Sequence, residues 1–199
     1  MAARNIEEDV FGLNCNKLSI NSKAKGNSNE RAAAKALQEW TNVKFVRVPM
    51  SGGLRRVDSD KITGDIIPDT LDKSFYFPFN VETKALKKIT TTRMLRTSSM
   101  VFTIWKQCMS DAIRGSKLPM ALLRQNGMDK GEYFLVLDAV LGGTIMALNV
   151  PTVFSGANHT YSLIGFMLSD VKLHMPYKSF AAAIARRDFI AQSTFYTQS

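Results

Sequence analysis

Helix-like and strand-like patterns succeed one another along this chain in an order that narrows the possible folds. Apolar residues recur at helical spacing in some segments and alternate, as in half-buried strands, in others. The predicted segments in chain order are helix 27–41, strands 43–48, 64–67 and 75–83, helix 99–114, strands 119–125 and 132–139, and helix 179–192. Helices that interrupt groups of strands in this way predict an α/β sandwich with a mixed central sheet.

The composition of the 199-residue chain allows one domain that folds without cross-links. Hydrophobic residues make up 45% of the chain and charged residues 22%, which is typical of a globular protein with a sizeable core. The two cysteines, Cys15 and Cys108, cannot build a disulfide framework or a four-cysteine zinc site. The net charge of +9 favours a polyanionic partner, most often a nucleic acid.

The chain shows no pattern typical of export or membrane insertion. Residues 1–25 are polar and irregular, and we expect a flexible N-terminal arm there, followed by a single domain over 26–199. Acidic residues at positions 7–9 occupy the place where a signal peptide needs its apolar stretch. The most apolar segment, 133–157, is interrupted by Asp138 and fits buried strands better than a membrane span. We therefore expect a soluble, intracellular protein.

An acidic and a basic residue share one face of a predicted strand. Glu82 and Lys84 are two positions apart, so their side chains point to the same side of the sheet. Asp65 opens the neighbouring strand. If the two strands form a hairpin, Asp65 lies opposite residue 79 or 80, and a bulge at Pro78 brings it near Glu82.

A second acid, Asp69 of the Pro68-Asp69 pair, competes with Asp65 for the place beside Glu82. In the same hairpin Asp69 faces about residue 76, which is roughly 20 Å along the strand from Glu82 at about 3.3 Å per residue. We therefore prefer Asp65 and retain Asp69 as the minor alternative.

Two carboxylates that converge beside a lysine suit a hard divalent cation. Magnesium prefers oxygen ligands and keeps several waters, so one or two carboxylates are enough to hold it. Such an ion polarises a phosphodiester and lowers the pKa of a bound water. Lys84 can orient that water, act as a base if its pKa is lowered, or stabilise charge on the phosphate.

The order of these residues resembles the PD-(D/E)XK nuclease superfamily over about residues 26–138. The matching residues are Glu30, Asp65 in GDIIPD, Glu82-Thr83-Lys84 in NVETKAL, Trp105-Lys106-Gln107, and the strand PMALLRQ. Within the superfamily, the segments NERAAAKAL, VRVPMSGG, GDII and VETK are most similar to archaeal-type Holliday-junction resolvases and related phage endonucleases.

The resemblance implies a three-layer restriction-endonuclease-like fold, in which helices flank a mixed central β-sheet. The nuclease core would cover about 26–138 and a C-terminal extension 139–199. The implied activity is a magnesium-dependent DNA endonuclease, with Mn²⁺ as a substitute, that acts as a homodimer on branched or recombination DNA. If phage-encoded, it would act in the cytoplasm of a bacterial host.

The resemblance also implies roles for the matching residues. The implied metal ligands are Asp65, Glu82, the carbonyl of Thr83 and, through a metal-bound water or at a second ion, Glu30. The implied catalytic residues beside the metal are Lys84, which positions or activates the attacking water, and Gln107, which holds Lys84 or a substrate phosphate.

A basic run begins at Lys84 and supplies candidate phosphate contacts. Between Lys84 and Lys117 the chain has eight cations and one acid, Asp111. The predicted DNA contacts are Arg47, Ser51, Arg55, Arg56, Lys87, Lys88, Arg93 and Arg96, with Ser51 at the scissile phosphate. Because no sequence-reading motif is evident, we expect recognition of DNA shape or backbone.

Two alternatives to a junction resolvase stay open. The chain could be a non-catalytic basic nucleic-acid-binding protein that keeps a nuclease-like fold. It could also be a PD-(D/E)XK nuclease of another kind, such as a restriction enzyme or an exonuclease. The complete set of Asp65, Glu82 and Lys84 favours catalysis, because a binding module need not retain all three.

Overall fold

A computed structural model describes residues 7–48, 63–89 and 100–191, with the backbone alone for 7–23 and 186–191. These ranges contain five helices and seven strands. In chain order they are α1 (Glu7–Thr41), β1 (Phe45–Arg47), β2 (Ile66–Pro68), β3 (Phe79–Leu86), α2 (Met100–Arg114), β4 (Leu118–Gln125), β5 (Phe134–Asp138), α3 (Ala139–Met146), β6 (Thr152–Ala157), β7 (Ser162–Met167), α4 (Leu168–His174) and α5 (Tyr177–Ala191).

The seven strands form one mixed sheet in the order β1-β2-β3-β4-β5-β7-β6. Strands β3 and β4 are parallel, and every other neighbouring pair in the described sheet is antiparallel. A parallel pair needs a crossover connection, and α2 lies in the chain between β3 and β4. This mixed sheet with flanking helices confirms the predicted α/β class and agrees with the restriction-endonuclease-like fold.

Helices cover both faces of the sheet and bury a separate apolar cluster on each. On one face, the helices α1, α3, α4 and α5 pack on alternate strand residues such as Val81 and Leu122. On the other face, α2 packs Phe102 and Trp105 on the alternate residues Ala121 and Leu123. Burial of a large apolar side chain contributes about 1.5–3 kcal/mol. The alternation of strand side chains thus assigns each residue of β3 to one of two environments.

The predicted start of the first helix is wrong, because α1 begins at Glu7 rather than at residue 27. The arm expected over residues 1–25 is therefore helical from Glu7 onward. Asn and Ser are favoured at helix ends, but Asn27, Ser28 and Asn29 lie inside α1, and no proline interrupts the segment. The division of the chain into an arm and a domain stays a prediction.

The strand predicted over 75–83 begins later, at Phe79, directly after Pro78. Proline has no backbone N–H for the ladder, and the carbonyl of Pro78 instead accepts a hydrogen bond from Leu118 N at 2.8 Å. The strand predicted over 64–67 is shifted to Ile66–Pro68. Both shifts matter for the register between β2 and β3.

The apolar segment 133–157 was expected to form buried strands, but α3 lies within it. Asp138 ends β5 and caps α3, since its carboxylate accepts hydrogen bonds from the backbone N–H groups of Val140 and Leu141. The following strands β6 and β7 were not predicted. They pack closely because Gly165 leaves room for the ring of Phe154.

The C-terminal part of the chain packs against the part that carries the candidate site residues. Trp40 of α1 lies edge-on to Tyr177 at 5.2 Å between ring centroids, and Phe180 of α5 stacks on Phe79 of β3 at 5.7 Å. Residues before and after position 139 thus share one apolar cluster. None of the described helices combines the length and hydropathy required to cross a bilayer.

Candidate active site

The register between β2 and β3 brings Asp65 to Glu82. Ile66 pairs with Val81, and Asp65 N donates to the carbonyl of Val81 at 2.8 Å, so Asp65 lies opposite Glu82. This position is further along β3 than residue 79 or 80, and it needs no bulge because β3 starts only after Pro78. Gly64, at φ +89°, passes so close to Val81 that a Cβ there would lie 2.9 Å from its carbonyl.

Beside the short β2–β3 pairing, the carboxylate of Asp65 accepts a backbone hydrogen bond from β3 that a strand carbonyl would otherwise accept. Its Oδ2 accepts from the backbone N–H of Thr83 at 2.9 Å. Asp65 is only 8% exposed, so this charge-assisted bond forms largely out of water. In a strand, the N–H and C=O of one residue point to the same edge, so the Thr83 carbonyl faces the same edge as its N–H.

Glu82 and Lys84 share one face of β3, as predicted, and form an ion pair with 2.9 Å between Oε1 and Nζ. The Glu82 side chain is 2% exposed, whereas that of Lys84 is 43% exposed. Burial raises the pKa of Glu82 to about 7, and the charge of Asp65 adds to this effect, while Lys84 opposes it. The site therefore combines a largely desolvated carboxyl with a second carboxylate.

Lys84 lies among three carboxylates. Burial acts to lower its pKa, but the ion pair with Glu82, followed by the charges of Asp65 and Glu30, raises the pKa above its ordinary value. The ammonium form of Lys84 is therefore favoured in the folded protein. A positive charge is held at the half-exposed mouth of an acidic site.

Glu30 of α1 contacts Arg47 of β1 as a half-buried ion pair. Its charge also contributes to the raised pKa of Lys84, which places it in the electrostatic surroundings of the site. In the described structure Glu30 and Arg47 are therefore partners of each other. The sequence had predicted a different partner for each, a metal ion for Glu30 and DNA for Arg47. Those two roles stay predictions.

Gln107 is exposed on α2, outside the buried stripe of Ile104, Trp105, Cys108 and Ala112. In the described part of the chain no hydrogen bond joins it to Lys84, so the predicted contact between them is not seen here. Cys108 is the α2 residue that borders the site instead. Burial, with the charge of Glu82, raises the pKa of its thiol to about 12.

Sequence reasoning missed several polar residues around these carboxylates. Asn80 is completely buried two positions before Glu82 on the same face, and its Nδ2 donates to the carbonyl of Cys108 at 3.3 Å. The charge of Asp111 on α2 also raises the pKa of Glu82. The two-residue spacing of Asn80, Glu82 and Lys84 was a signal that could have identified Asn80.

The oxygen atoms at this site fit a hard divalent cation. Oε1 of Glu82 is fully buried and, although Lys84 Nζ lies close, no described group approaches it with hydrogen-bond geometry. The side-chain oxygens of Asn80 and Thr63 are buried and unpaired in the same sense. Within the described ranges no group of three or more His, Cys, Asp or Glu could hold a metal. Two carboxylates suffice for Mg²⁺, which keeps several waters.

Asp69 lies at the opposite end of β2 from Asp65. Its backbone N donates to the carbonyl of Lys44 at 2.8 Å, and its carboxylate pairs with Lys44 Nζ at 2.6 Å. Both side chains are largely exposed. The geometry therefore brings Asp65, and not the alternative Asp69, to Glu82.

Several predicted DNA contacts fall outside the described residues, namely Ser51, Arg55, Arg56, Arg93 and Arg96. Lys87 and Lys88 are described and exposed directly after β3. They directly follow β3, the strand that carries Glu82 and Lys84, and are only three and four positions after Lys84 in sequence. Their predicted contact with DNA is not tested by this arrangement.

Comparison with protein families returned a match over residues 21–147, which include Asp65, Glu82 and Lys84. The matching family is described as "phage putative PDDEXK endonuclease". A search of curated proteins and a search of solved structures returned no match. The family match covers more than half of the 199 residues and supports a nuclease of the PD-(D/E)XK superfamily. The chain therefore belongs to the phage PDDEXK endonuclease family.

Proposed function

We propose that this protein is a magnesium-dependent DNA endonuclease that hydrolyses phosphodiester bonds in branched or recombination DNA, as Holliday-junction resolvases do. One observation carries the proposal. Asp65 lies opposite Glu82 across β2 and β3, and Lys84 pairs with Glu82 at 2.9 Å. Membership of a phage endonuclease family supports the nuclease activity.

The carboxylates of Asp65 and Glu82, with the carbonyl of Thr83, would hold the magnesium ion. Bound there, Mg²⁺ supplies Lewis-acid polarisation of the phosphodiester and a water of lowered pKa, and Mn²⁺ is expected to substitute for it. The Thr83 N–H fixes one oxygen of Asp65. The burial of Glu82 favours a cation as its partner, because an unpaired buried carboxylate is costly.

Lys84 would position the attacking water or stabilise negative charge on the phosphate. Its pKa is raised, so it is an ammonium group that donates hydrogen bonds rather than a ready base. Its side chain is 43% exposed, so it can reach a bound substrate. Preorganised donors aimed at developing charge stabilise the transition state.

The choice of DNA as the substrate is supported by the charge of the protein. The net charge of +9 and the exposed Lys87 and Lys88 beside the site favour backbone contacts with DNA. Paired cuts in a four-way junction require two active sites, so we propose a homodimer. If phage-encoded, the enzyme would act in the cytoplasm of its bacterial host.

Cleavage of three labelled DNAs tests this function. The wild type, Lys84→Ala and the matched control Lys44→Ala would be incubated with a four-way junction, a linear duplex of the same sequence and a single strand, each with Mg²⁺ or with EDTA. We expect paired, symmetric nicks in the junction alone, lost with EDTA and with Lys84→Ala but retained with Lys44→Ala.

Other results would point to the alternatives. Magnesium-dependent cleavage of all three DNAs would retain the nuclease and contradict junction specificity. DNA binding without cleavage under Mg²⁺ or Mn²⁺ would contradict the enzyme and favour a non-catalytic DNA-binding protein.

A further inference from the structure

A buried chain of hydrogen bonds links the core to the candidate metal ligand Asp65. Tyr133 Oη donates to the carbonyl and Oδ1 of Asn29 at 3.0 and 3.2 Å. Asn29 Nδ2 donates to Thr83 Oγ1 at 2.6 Å, and Thr83 N donates to Asp65 Oδ2 at 2.9 Å. Each of the four residues is less than a tenth exposed. The chain joins α1 to β3 and to the residue just before β5.

This link is polar where its surroundings are apolar. Further along α1, the contact with the sheet consists of buried alanines and Leu37. A pair of apolar side chains could fill the place of Asn29 and Thr83 with little change in stability, because paired hydrogen bonds replace bonds to water. The amide of Asn29, in contrast, has one orientation that satisfies both neighbours. The polar link therefore fixes geometry.

The residue that it fixes is the one between the two site residues of β3. Thr83 is flanked by Glu82 and Lys84, whose side chains point to the opposite face of the sheet. A rotation or slip of the backbone at Thr83 would move both of them, together with the N–H that holds Asp65. Small displacements of this kind matter, because metal ligands are oriented by the groups that bond to them.

We infer that Asn29 and Tyr133 are positioning residues of the metal site, which hold Thr83 so that Asp65 and Glu82 converge. The inference rests on the proposed function. Neither residue is expected to touch the cation or the substrate. Asn29 acts through its hydrogen bond to Thr83, and Tyr133 acts through the hydroxyl that it donates to Asn29, from the side of the sheet opposite Glu82.

Titration of the protein with Mn²⁺ by calorimetry, without DNA, tests the inference apart from activity. Tyr133→Phe removes one hydroxyl and keeps the ring, and we expect it to raise the Mn²⁺ dissociation constant about tenfold. The matched control is Tyr177→Phe, which removes another buried hydroxyl whose bond to the carbonyl of Tyr76 is 2.5 Å long. We expect Tyr133→Phe and Tyr177→Phe to lower the urea midpoint by similar amounts. Tyr177→Phe should leave the Mn²⁺ dissociation constant unchanged.

Asn29→Ala supplies a second, independent variant. It should weaken Mn²⁺ binding in the same direction, and the double variant with Tyr133→Phe should be no weaker than Asn29→Ala alone, because both act through one contact. Unchanged Mn²⁺ affinity in Tyr133→Phe, or an equal loss in Tyr177→Phe, would overturn the inference while the wild type still binds Mn²⁺. A wild type that binds no Mn²⁺ would overturn the proposed function and, with it, this inference.

Discussion

Two ion pairs between a lysine and a carboxylate, one beside β1 and β2 and the other on β3, differ mainly in burial. Lys44 and Asp69 are 2.6 Å apart with side chains 65% and 48% exposed. Lys84 and Glu82 are 2.9 Å apart, and the Glu82 side chain is 2% exposed. An ammonium and a carboxylate at similar distances thus lie in water in one pair, whereas in the other pair the carboxylate is buried in the protein. The comparison separates the contribution of contact from that of desolvation.

Desolvation gives the buried pair chemistry that the exposed pair lacks. An exposed pair of this kind is worth about 0–1 kcal/mol and is screened by salt. A buried carboxyl is costly unless paired, and burial raises the pKa of Glu82 to about 7. A core built for stability alone would avoid that cost. A perturbed carboxyl beside a second acid and a lysine is instead typical of a functional site.

Removal of the two lysines should give the largest difference between the pairs. Lys84→Ala is expected to lower the cleavage rate by at least about 10²–10³-fold, as the loss of one preorganised donor does, while DNA affinity stays nearly constant. Lys44→Ala should cleave at the wild-type rate. Single-turnover cleavage with Mg²⁺ and a binding assay in EDTA measure the two quantities. Undiminished cleavage by Lys84→Ala would contradict its role.

The protonation of Glu82 should give the metal-free protein an unusual dependence on pH. Its pKa is about 7 in the folded protein and 4.5 in the unfolded chain, so the folded state holds the extra proton between these values. Stability should therefore fall as the pH rises from about 4.5 to 7, by roughly 3 kcal/mol at about 1.36 kcal/mol per pKa unit.

Urea unfolding in EDTA across this pH range, compared between the wild type and Glu82→Gln, measures that contribution. The glutamine variant should lack it, whereas Asp69→Asn should behave as the wild type does. Saturating Mg²⁺ should reverse the trend, because a bound metal requires the deprotonated carboxylate. Parallel curves for the wild type and Glu82→Gln would show that Glu82 keeps an ordinary pKa.

The cations of the basic run that begins at Lys84 extend the comparison to DNA binding. Replacement of Lys87, Lys88, Arg93 and Arg96 by glutamine should weaken binding to a duplex, because fewer phosphates are then neutralised. The slope of log affinity against log salt should become shallower by about 0.9 for each phosphate that the variant no longer neutralises. The control variants Lys73→Gln and Lys178→Gln, exposed elsewhere, should leave the slope unchanged. An unchanged slope in the fourfold variant would place the DNA surface elsewhere.

The smallest effect is expected from the exposed pair itself. A double-mutant cycle of Lys44→Ala and Asp69→Asn should give a coupling free energy of unfolding of about 0.2–1 kcal/mol, and high salt should reduce it. A coupling well above 1 kcal/mol would mean that burial is not what separates the two pairs.

The strand period made part of the site predictable. Side chains two positions apart share a face, so the sequence alone placed Glu82 and Lys84 together, and hairpin geometry favoured Asp65 over Asp69. The predicted register, with Asp65 opposite residue 79 or 80, was wrong, because β3 begins only after Pro78. The order of helices and strands indicated the fold class, but Asp138 was overlooked as the cap of α3.

Contacts between distant segments could not be predicted from periodicity. Asn29, Thr83 and Tyr133 are far apart in sequence, and their hydrogen bonds depend on how α1 packs on the sheet. Gln107 was placed near Lys84 by resemblance alone, whereas the rotation of α2 sets Cys108 against the site. Pairing of β7 between β5 and β6 likewise depends on tertiary packing.

Cleavage by Asp65→Asn and Asp69→Asn tests the central claim most directly, because both substitutions remove one carboxylate charge from an end of β2. We predict that Asp65→Asn abolishes magnesium-dependent cleavage of the preferred DNA and that Asp69→Asn cleaves as the wild type does. Loss of cleavage with Asp69→Asn, together with full activity of Asp65→Asn, would move the metal site to Pro68-Asp69 and contradict the proposed site.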